Sequence, residues 1–405
     1  MKMRPMFSMR SVVQTSLIIR TVNTKGLLNK VVVMTQVKFL NLKRLTDQHN
    51  LELKDACARV IDSGMFILGS EVSSFERTFS AFCGTQHALG VASGLDALSL
   101  IFRAWKICGK LHDGDEVIIQ ANAYIACVLA ITENNLCPVF VEPDEKTYNL
   151  DPVNIVPATT SKTKVIMPVH LYGQISEMDR IKAIASEHHL LILEDCSQSH
   201  GAMLGGIMCG NWGDAAAFSC YPSKNLAALG DAGVISTNDC NLAAILSKLR
   251  NYGSRTRYYN LYQGINSRLS EVQAALLNVK MKYIDSEIEL RREISQKYRN
   301  CIKNDFILLP ETDDINKHTW HLFVIRCQQR DTLQAFLLAS GIETYIHYPV
   351  PPYKQEAYPE FNHLSFPLNE KIHDEVLSLP IDPYMEPCEI DYVITKVNEF
   401  SPGRK

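Results

Sequence analysis

The sequence predicts an α/β protein in which a large, mostly parallel sheet domain is followed by a smaller α+β domain. Three observations carry this. From about Ala88 to Ser236 short β-rich runs alternate with helical patterns, as they do where parallel strands are joined by crossover helices. After Cys240 the pattern turns helical, with a long periodic stretch from Ser270 through Tyr298. The remainder, at 318–327, 331–340 and 389–400, mixes strand and helix signals, as α+β modules do.

The expected strands are 87–92, 117–119, 137–141, 165–169, 190–193, 215–219 and 233–237. The segment 90-GVASGLDALSLIFRAW-105 reads as an apolar run, a tight turn at Ser93-Gly94, and a helix beginning near Leu95. The Ser270–Tyr298 stretch fits one or two amphipathic helices. We divide the chain into a segment 1–33, a large domain 34–262 that includes an N-terminal arm, and a small domain 263–405.

A chain of 405 residues with 46% apolar content can bury a sizeable core, which excludes disordered and fibrous classes. The net charge of -3 supplies no global field for nucleic acid or an anionic membrane, so the partners are expected to be small molecules or proteins. No apolar run approaches the ~20 residues that cross a bilayer, and a cytoplasmic location is expected. The 12 cysteines are scattered singly, without the paired spacing of a zinc or redox site, and are read as reduced core thiols with no metal. The first 33 residues carry six Lys or Arg and no acid. That composition resembles a transit peptide; the reading adopted is a mis-called or disordered extension, with translation starting at Met34.

Three segments carry chemistry. The Ser93-Gly94 turn before a helix offers free N–H groups and a positive dipole end, which suit a phosphate. In 190-LLILEDCSQSHGA-202 a buried strand runs straight into Glu194 and Asp195, at the carboxyl end where open parallel sheets place ligands. Lys224 follows 29 residues after Asp195, in a loop of small and polar residues between two strands. Singly, Lys224 reads as a solvated loop lysine and Asp195 as a helix-capping acid. Together they meet the needs of pyridoxal phosphate: an amine for its Schiff base, a carboxylate for its pyridine nitrogen, and donors for its phosphate, here Gly94, Leu95 and Ser219.

The segments 194-EDCSQSHGA-202 and 218-FSCYPSKNLAALGDAG-233 resemble the paired signatures of the DegT-type (DegT/DnrJ) nucleotide-sugar aminotransferases, over about Phe39 to Phe400. The resemblance implies the aspartate aminotransferase-like fold and a homodimer with active sites shared across the interface. It implies that Lys224 carries the cofactor, Asp195 faces the pyridine nitrogen, Gln198 the ring hydroxyl and Tyr124 the ring face. Ser219, Gly94 and Leu95 match phosphate contacts. Asn266 and Arg268 match a stretch that reaches over from the neighbouring subunit, with the Asn on the phosphate. His170, His347 and Tyr348 match positions near the active site, where a structurally bonded His is an equal reading. Ala227 stands where the family more often has glycine.

Within the family the wording around 94–98, 122–126, 170–174 and 342–352 looks most like enzymes that aminate C3 of a dTDP-linked 3-keto-6-deoxyhexose with glutamate, for surface polysaccharides or antibiotics. Two alternatives stay open: a 4-keto-sugar aminotransferase, and a sugar dehydratase on the same scaffold, whose members replace the lysine with histidine. A non-catalytic relative is a third class, since fold alone does not prove activity.

Overall fold

The computed structural model describes residues 36–403; the readings for 1–33 and Met34 lie outside them. The helices are α1 (Leu42–Asp47), α2 (Asn50–Ser63), α3 (Ser70–Cys83), α4 (Gly94–Ile107), α5 (Ile125–Glu133), α6 (Ile155–Ala158), α7 (Met178–His188), α8 (Cys240–Leu249), α9 (Glu271–Lys280), α10 (Ile284–Cys301), α11 (Arg330–Ala339), α12 (Pro367–Glu375) and α13 (Pro387–Glu399). The main sheet uses β1 (His87–Val91), β2 (Glu116–Gln120), β3 (Cys137–Val141), β4 (Thr163–Met167), β5 (Leu191–Asp195), β8 (Ala215–Ser219) and β9 (Gly233–Thr237). Short hairpins pair β6 (Met203–Leu204) with β7 (Ile207–Met208) and β10 (Ser254–Thr256) with β11 (Tyr259–Asn260), while β12 (Phe323–Arg326) pairs with β13 (Val376–Leu379).

The seven strands lie in the order β1-β9-β8-β5-β4-β2-β3. All run the same way except β9, which is antiparallel to both β1 and β8. Its direction matters for the site. The β8–β9 link carries no crossover helix, so its loop, with Lys224, stays at the carboxyl end of β8. Asp195 ends β5, and the Ser93-Gly94 turn follows β1. One edge of the sheet therefore carries all three segments.

Packing follows from the strand composition. Parallel strands buried on both faces read as continuous apolar runs, and β5, β8 and β9 are buried almost throughout. Helix α4 presents Ala97, Leu98, Ile101, Phe102 and Trp105 to one face of the sheet. On the other face, Phe75 and Phe79 of α3 pack with Phe218 and Val234. Helix α3 begins at Gly69 without a side-chain cap of its own. The buried Glu271 at the start of α9 replaces it, accepting from the N–H groups of Gly69, Glu71 and Val72 at 2.7, 2.8 and 3.1 Å.

The periodic stretch is broken at 281–283 into α9 and α10. The buried apolar side chains of α9 and the start of α10, among them Ala274, Leu277, Ile284 and Ile288, pack with the large-sheet cores. A separate core takes Ile294 and Tyr298 together with β12, β13, α11 and α13. The two cores thus meet inside α10, downstream of the expected boundary at 263. The N-terminal arm goes with the second core: Val37 is buried in it, Asn41 N–H donates to Asp382, and Arg44 pairs with Glu389. No described helix is long and apolar enough to cross a membrane.

Candidate active site

The turn after β1 is built by close approach. Ser93 caps α4, its Oγ accepting from Asp96 N–H at 3.1 Å, and its carbonyl accepts from Ala97 N–H at 3.0 Å. The N–H groups of Gly94 and Leu95 remain as the free donors of that helix end among the described residues, in the position that suits an anion. Two glycines let the turn reach Ser219 at the end of β8. A Cβ on Gly94 would sit 2.7 Å from Ser219 Cβ, and one on Gly233 would sit 2.3 Å from Ser93 O. Asp96 turns away, its carboxylate accepting from Ser267 Oγ at 2.6 Å.

Asp195 is 6% exposed, so its carboxylate depends on protein donors. Oδ1 accepts from Ser197 N–H at 3.0 Å and Oδ2 from the Cys127 thiol at 2.9 Å. Lys224 is half-buried in a turn closed by its N–H to Tyr221 O at 2.8 Å. Burial pushes its ammonium below the ordinary lysine range, and the negative charge of Asp195 pulls it part of the way back. The amine and the carboxylate thus act on each other across the carboxyl edge of the sheet.

Gln198 is clamped by both ends of its amide: Oε1 accepts from Tyr172 N–H at 2.7 Å and Nε2 donates to Tyr348 Oη at 3.0 Å. Tyr348 lies against Tyr124 with ring centroids 4.9 Å apart. Burial first, then the Tyr124 ring, pushes its phenol up, so it stays protonated. Tyr124, at the start of α5, is 47% exposed, with a ring open to a ligand. His347 is held by Ser378 Oγ at 2.8 Å, and burial, with Lys224 second, lowers its pKa to about 4.

Three expected residues are not brought to this group within one chain. His170 is the first. Its Nδ1 accepts from Ser176 N–H at 3.1 Å, which leaves Nε2–H to donate to Glu194 at 3.0 Å. Neighbouring side chains on a strand point to opposite faces, so Glu194 and His170 lie on the far side of β5 from Asp195, and the expected substrate role of His170 is corrected to a structural one. Glu194 also accepts from the N–H groups of Gly210, Trp212 and Gly213 at 2.9, 2.9 and 2.8 Å. His170, Glu194 and Cys196 place ligand-type atoms within 4.8 Å of one another, and those hydrogen bonds account for the arrangement. Asn266 is exposed, and Arg268 donates to Asn251 Oδ1 at 2.9 Å beneath the Tyr252 ring.

Sequence reasoning missed three residues beside Lys224. His200 and His321 are buried, and among the described residues both ring nitrogens of the first and Nδ1 of the second have no hydrogen-bond partner. Burial, then Lys224, lowers His200 to about 3 and takes His321 well below its ordinary value. Both are neutral at pH 7. The third is Cys127. A cavity of about 180 Å³ also adjoins Lys224, walled by Leu45, Pro222, Asn225, Lys280 and Arg291, and Asp195, Gln198 and Tyr124 are not among the residues that line it.

The residues fit pyridoxal phosphate. A helix start where Gly94 has no Cβ suits the phosphate, a doubly fixed carboxylate suits a ring N–H, a burial-depressed amine suits an aldehyde, and buried imidazole nitrogens without a partner among the described residues suit further polar contacts.

Comparison with known proteins agrees. Residues 47–398 match the DegT/DnrJ/EryC1/StrS aminotransferase family. Over 364 residues, 90% of this chain and 99% of the other, the chain is 50% identical to a dTDP-3-amino-3,6-dideoxy-alpha-D-galactopyranose transaminase of Aneurinibacillus thermoaerophilus. It is similar to the crystal structure of S. venezuelae DesV, with a TM-score of 0.87 and 42% identity over 90% of this chain and 98% of that one. It is also similar to Bacillus subtilis NtdA with bound cofactor PMP, with a TM-score of 0.83 and 29% identity over 90% and 85% of the two chains.

Proposed function

The chain belongs to the DegT/DnrJ/EryC1/StrS aminotransferase family, and from that membership we propose that it moves the amino group of glutamate onto C3 of a dTDP-linked 3-keto-6-deoxyhexose. The products are 2-oxoglutarate and a dTDP-3-amino-3,6-dideoxyhexose, a building block for surface polysaccharide. The enzyme is a sugar aminotransferase that depends on pyridoxal phosphate. The observation that carries the reading is one edge of one sheet holding a depressed amine, a fixed carboxylate and a glycine-lined helix start.

When bound, pyridoxal phosphate supplies an electron sink that stabilises negative charge on the carbon next to nitrogen. Everything else falls to this chain. Lys224, an amine whose uncharged fraction burial has raised, would hold the aldehyde carbon and, once free, would move a proton between the substrate carbon that bears nitrogen and the cofactor, with glutamate in one half of the reaction and the sugar in the other. Asp195 would hold a proton on the ring nitrogen. The N–H groups of Gly94 and Leu95, with Ser219, would bind the phosphate. Tyr124 would cover one ring face, and Gln198, with Tyr348 bonded to it, would face the ring hydroxyl. Two copies share sites, with Asn266 and Arg268 of each reaching the other. Support for this is the exposure of Asn266 and of Tyr258, Tyr259 and Leu261 around the β10–β11 hairpin, an apolar surface of the kind that marks a protein interface.

The test is to supply purified protein with pyridoxal phosphate, glutamate and a panel of dTDP-keto-sugars and to find by NMR which carbon gains nitrogen. Borohydride treatment should fix the cofactor to Lys224, read by mass spectrometry. Nitrogen at C4 would overturn the substrate assignment. Loss of water without nitrogen gain would replace the transaminase with a dehydratase.

A further inference from the structure

We propose that Cys127 is a positioning residue for Asp195, its thiol fixing the carboxylate that pairs with the cofactor's ring nitrogen. The inference rests on the pyridoxal phosphate reading above and adds a residue to it.

Cys127 lies in the first turn of α5, three residues after Tyr124, and is 0% exposed. A buried cysteine is ordinarily a small core filler with a weak S–H donor. This one is placed differently, because Sγ stands 2.9 Å from Asp195 Oδ2. That oxygen belongs to a carboxylate that is itself buried and whose other oxygen takes the Ser197 N–H at 3.0 Å. One donor on each oxygen stops rotation about Cβ–Cγ, and the lone pairs that remain are aimed as a pair. A backbone N–H alone would fix one oxygen and leave the plane free.

Helix α5 gives the arrangement its rigidity. Its Tyr124 end borders the ring face, and the Cys127 N–H bonds back to Tyr124 O at 3.0 Å. The residue on the ring face and the residue that fixes the ring's acid are thus joined in one helical turn. The thiol remains a donor in all working states: burial above all, and then the charge of Asp195, push it far above the ordinary thiol range.

The experiment uses the full-length protein and three variants: Cys127→Ala, Cys127→Val and Cys127→Ser. Valine keeps the side-chain bulk without a donor, so the comparison survives if the alanine variant fails to fold. Two readouts other than turnover are taken: the Kd for pyridoxal phosphate from fluorescence titration, and the midpoint pH of the visible band of the loaded protein. Removal of a hydrogen bond to a charged group should weaken cofactor binding by about tenfold in the Ala and Val variants. The midpoint should shift in both, and Ser should restore both readouts. Ala and Val variants that match wild type in affinity and midpoint would overturn the inference, even if their thermal stability fell, since core filling alone predicts that pattern. A Ser variant as impaired as Ala would also overturn it. Wild-type protein that takes up no pyridoxal phosphate would sink the functional reading itself, a result distinguishable from unchanged variants of a cofactor-binding wild type.

Discussion

Replacing Gly94 with alanine should loosen the phosphate end of the site. Its backbone is ordinary helix, so glycine is required there only by what its missing Cβ would touch. An added Cβ would lie 2.7 Å from Ser219 Cβ, 3.0 Å from its Cα and 3.2 Å from its N. Carbon atoms rest about 3.5–4.0 Å apart, so the shortfall is roughly 1 Å. It is set against backbone that cannot swing aside. In an open helix, alanine for glycine gains about 1 kcal/mol; here overpacking of about 1–3 kcal/mol opposes it, and the end of β8 must part from the start of α4. The N–H donors of Gly94 and Leu95 then no longer converge with Ser219 on one anion. Loss of one charge-assisted hydrogen bond, about 1.5–3 kcal/mol, corresponds to roughly 10–100-fold weaker binding of pyridoxal phosphate. The assay is a fluorescence titration of cofactor-free protein, with Tm measured before and after loading. The loaded protein should lose more Tm than the free protein, because less binding energy is linked to folding. Unchanged affinity would refute the reasoning, whatever happened to Tm.

Two further outcomes follow from groups outside the phosphate turn. Glu271→Ala leaves three N–H groups at the start of α3 without their acceptor and should cost about 2–4 kcal/mol by chemical denaturation; a loss no larger than that of an exposed Glu, such as Glu187→Ala, would show that water replaces the cap. Stability should also fall on acidification. His200 and His318 are held by burial at about 3, and His347 at about 4, each below the value near 6.5 that it takes when unfolded. The unfolded chain then binds protons first, so stability is full above about pH 6.5 and is lost as pH falls towards the folded values, at up to about 1.4 kcal/mol per pH unit per group. Urea midpoints that stay flat from pH 7.5 to 5 would contradict that sign.

The sequence by itself determined what is encoded locally. The seven main-sheet strands were legible because buried strands are short apolar runs bounded by turn residues. Asp195 and the Ser93-Gly94 turn stood out in sequence because they lie at or just past a strand end, and Lys224 because its loop joins two strands; strand ends are where this class of sheet binds ligands. Tertiary structure decided what depends on residues far apart in the chain. That β9 runs against its neighbours keeps Lys224 at the same edge as Asp195, and this direction is set by pairing with β1 and β8, which no local pattern records. His170 resembled a site residue in sequence, yet strand alternation turns Glu194, and the imidazole bonded to it, away from Asp195. The contact of Cys127 with Asp195 spans 68 positions, and its only sequence trace is a place one turn beyond Tyr124. His321 reaches Lys224 because the segment after His318 bonds along 172–174, with Thr319 N–H to Gly173 O and Leu322 N–H to Tyr172 O. The physical reason is the same in each case: short-range sterics and hydrophobic period fix which elements form, while the direction of a side chain into a shared site is fixed only when those elements bury one another.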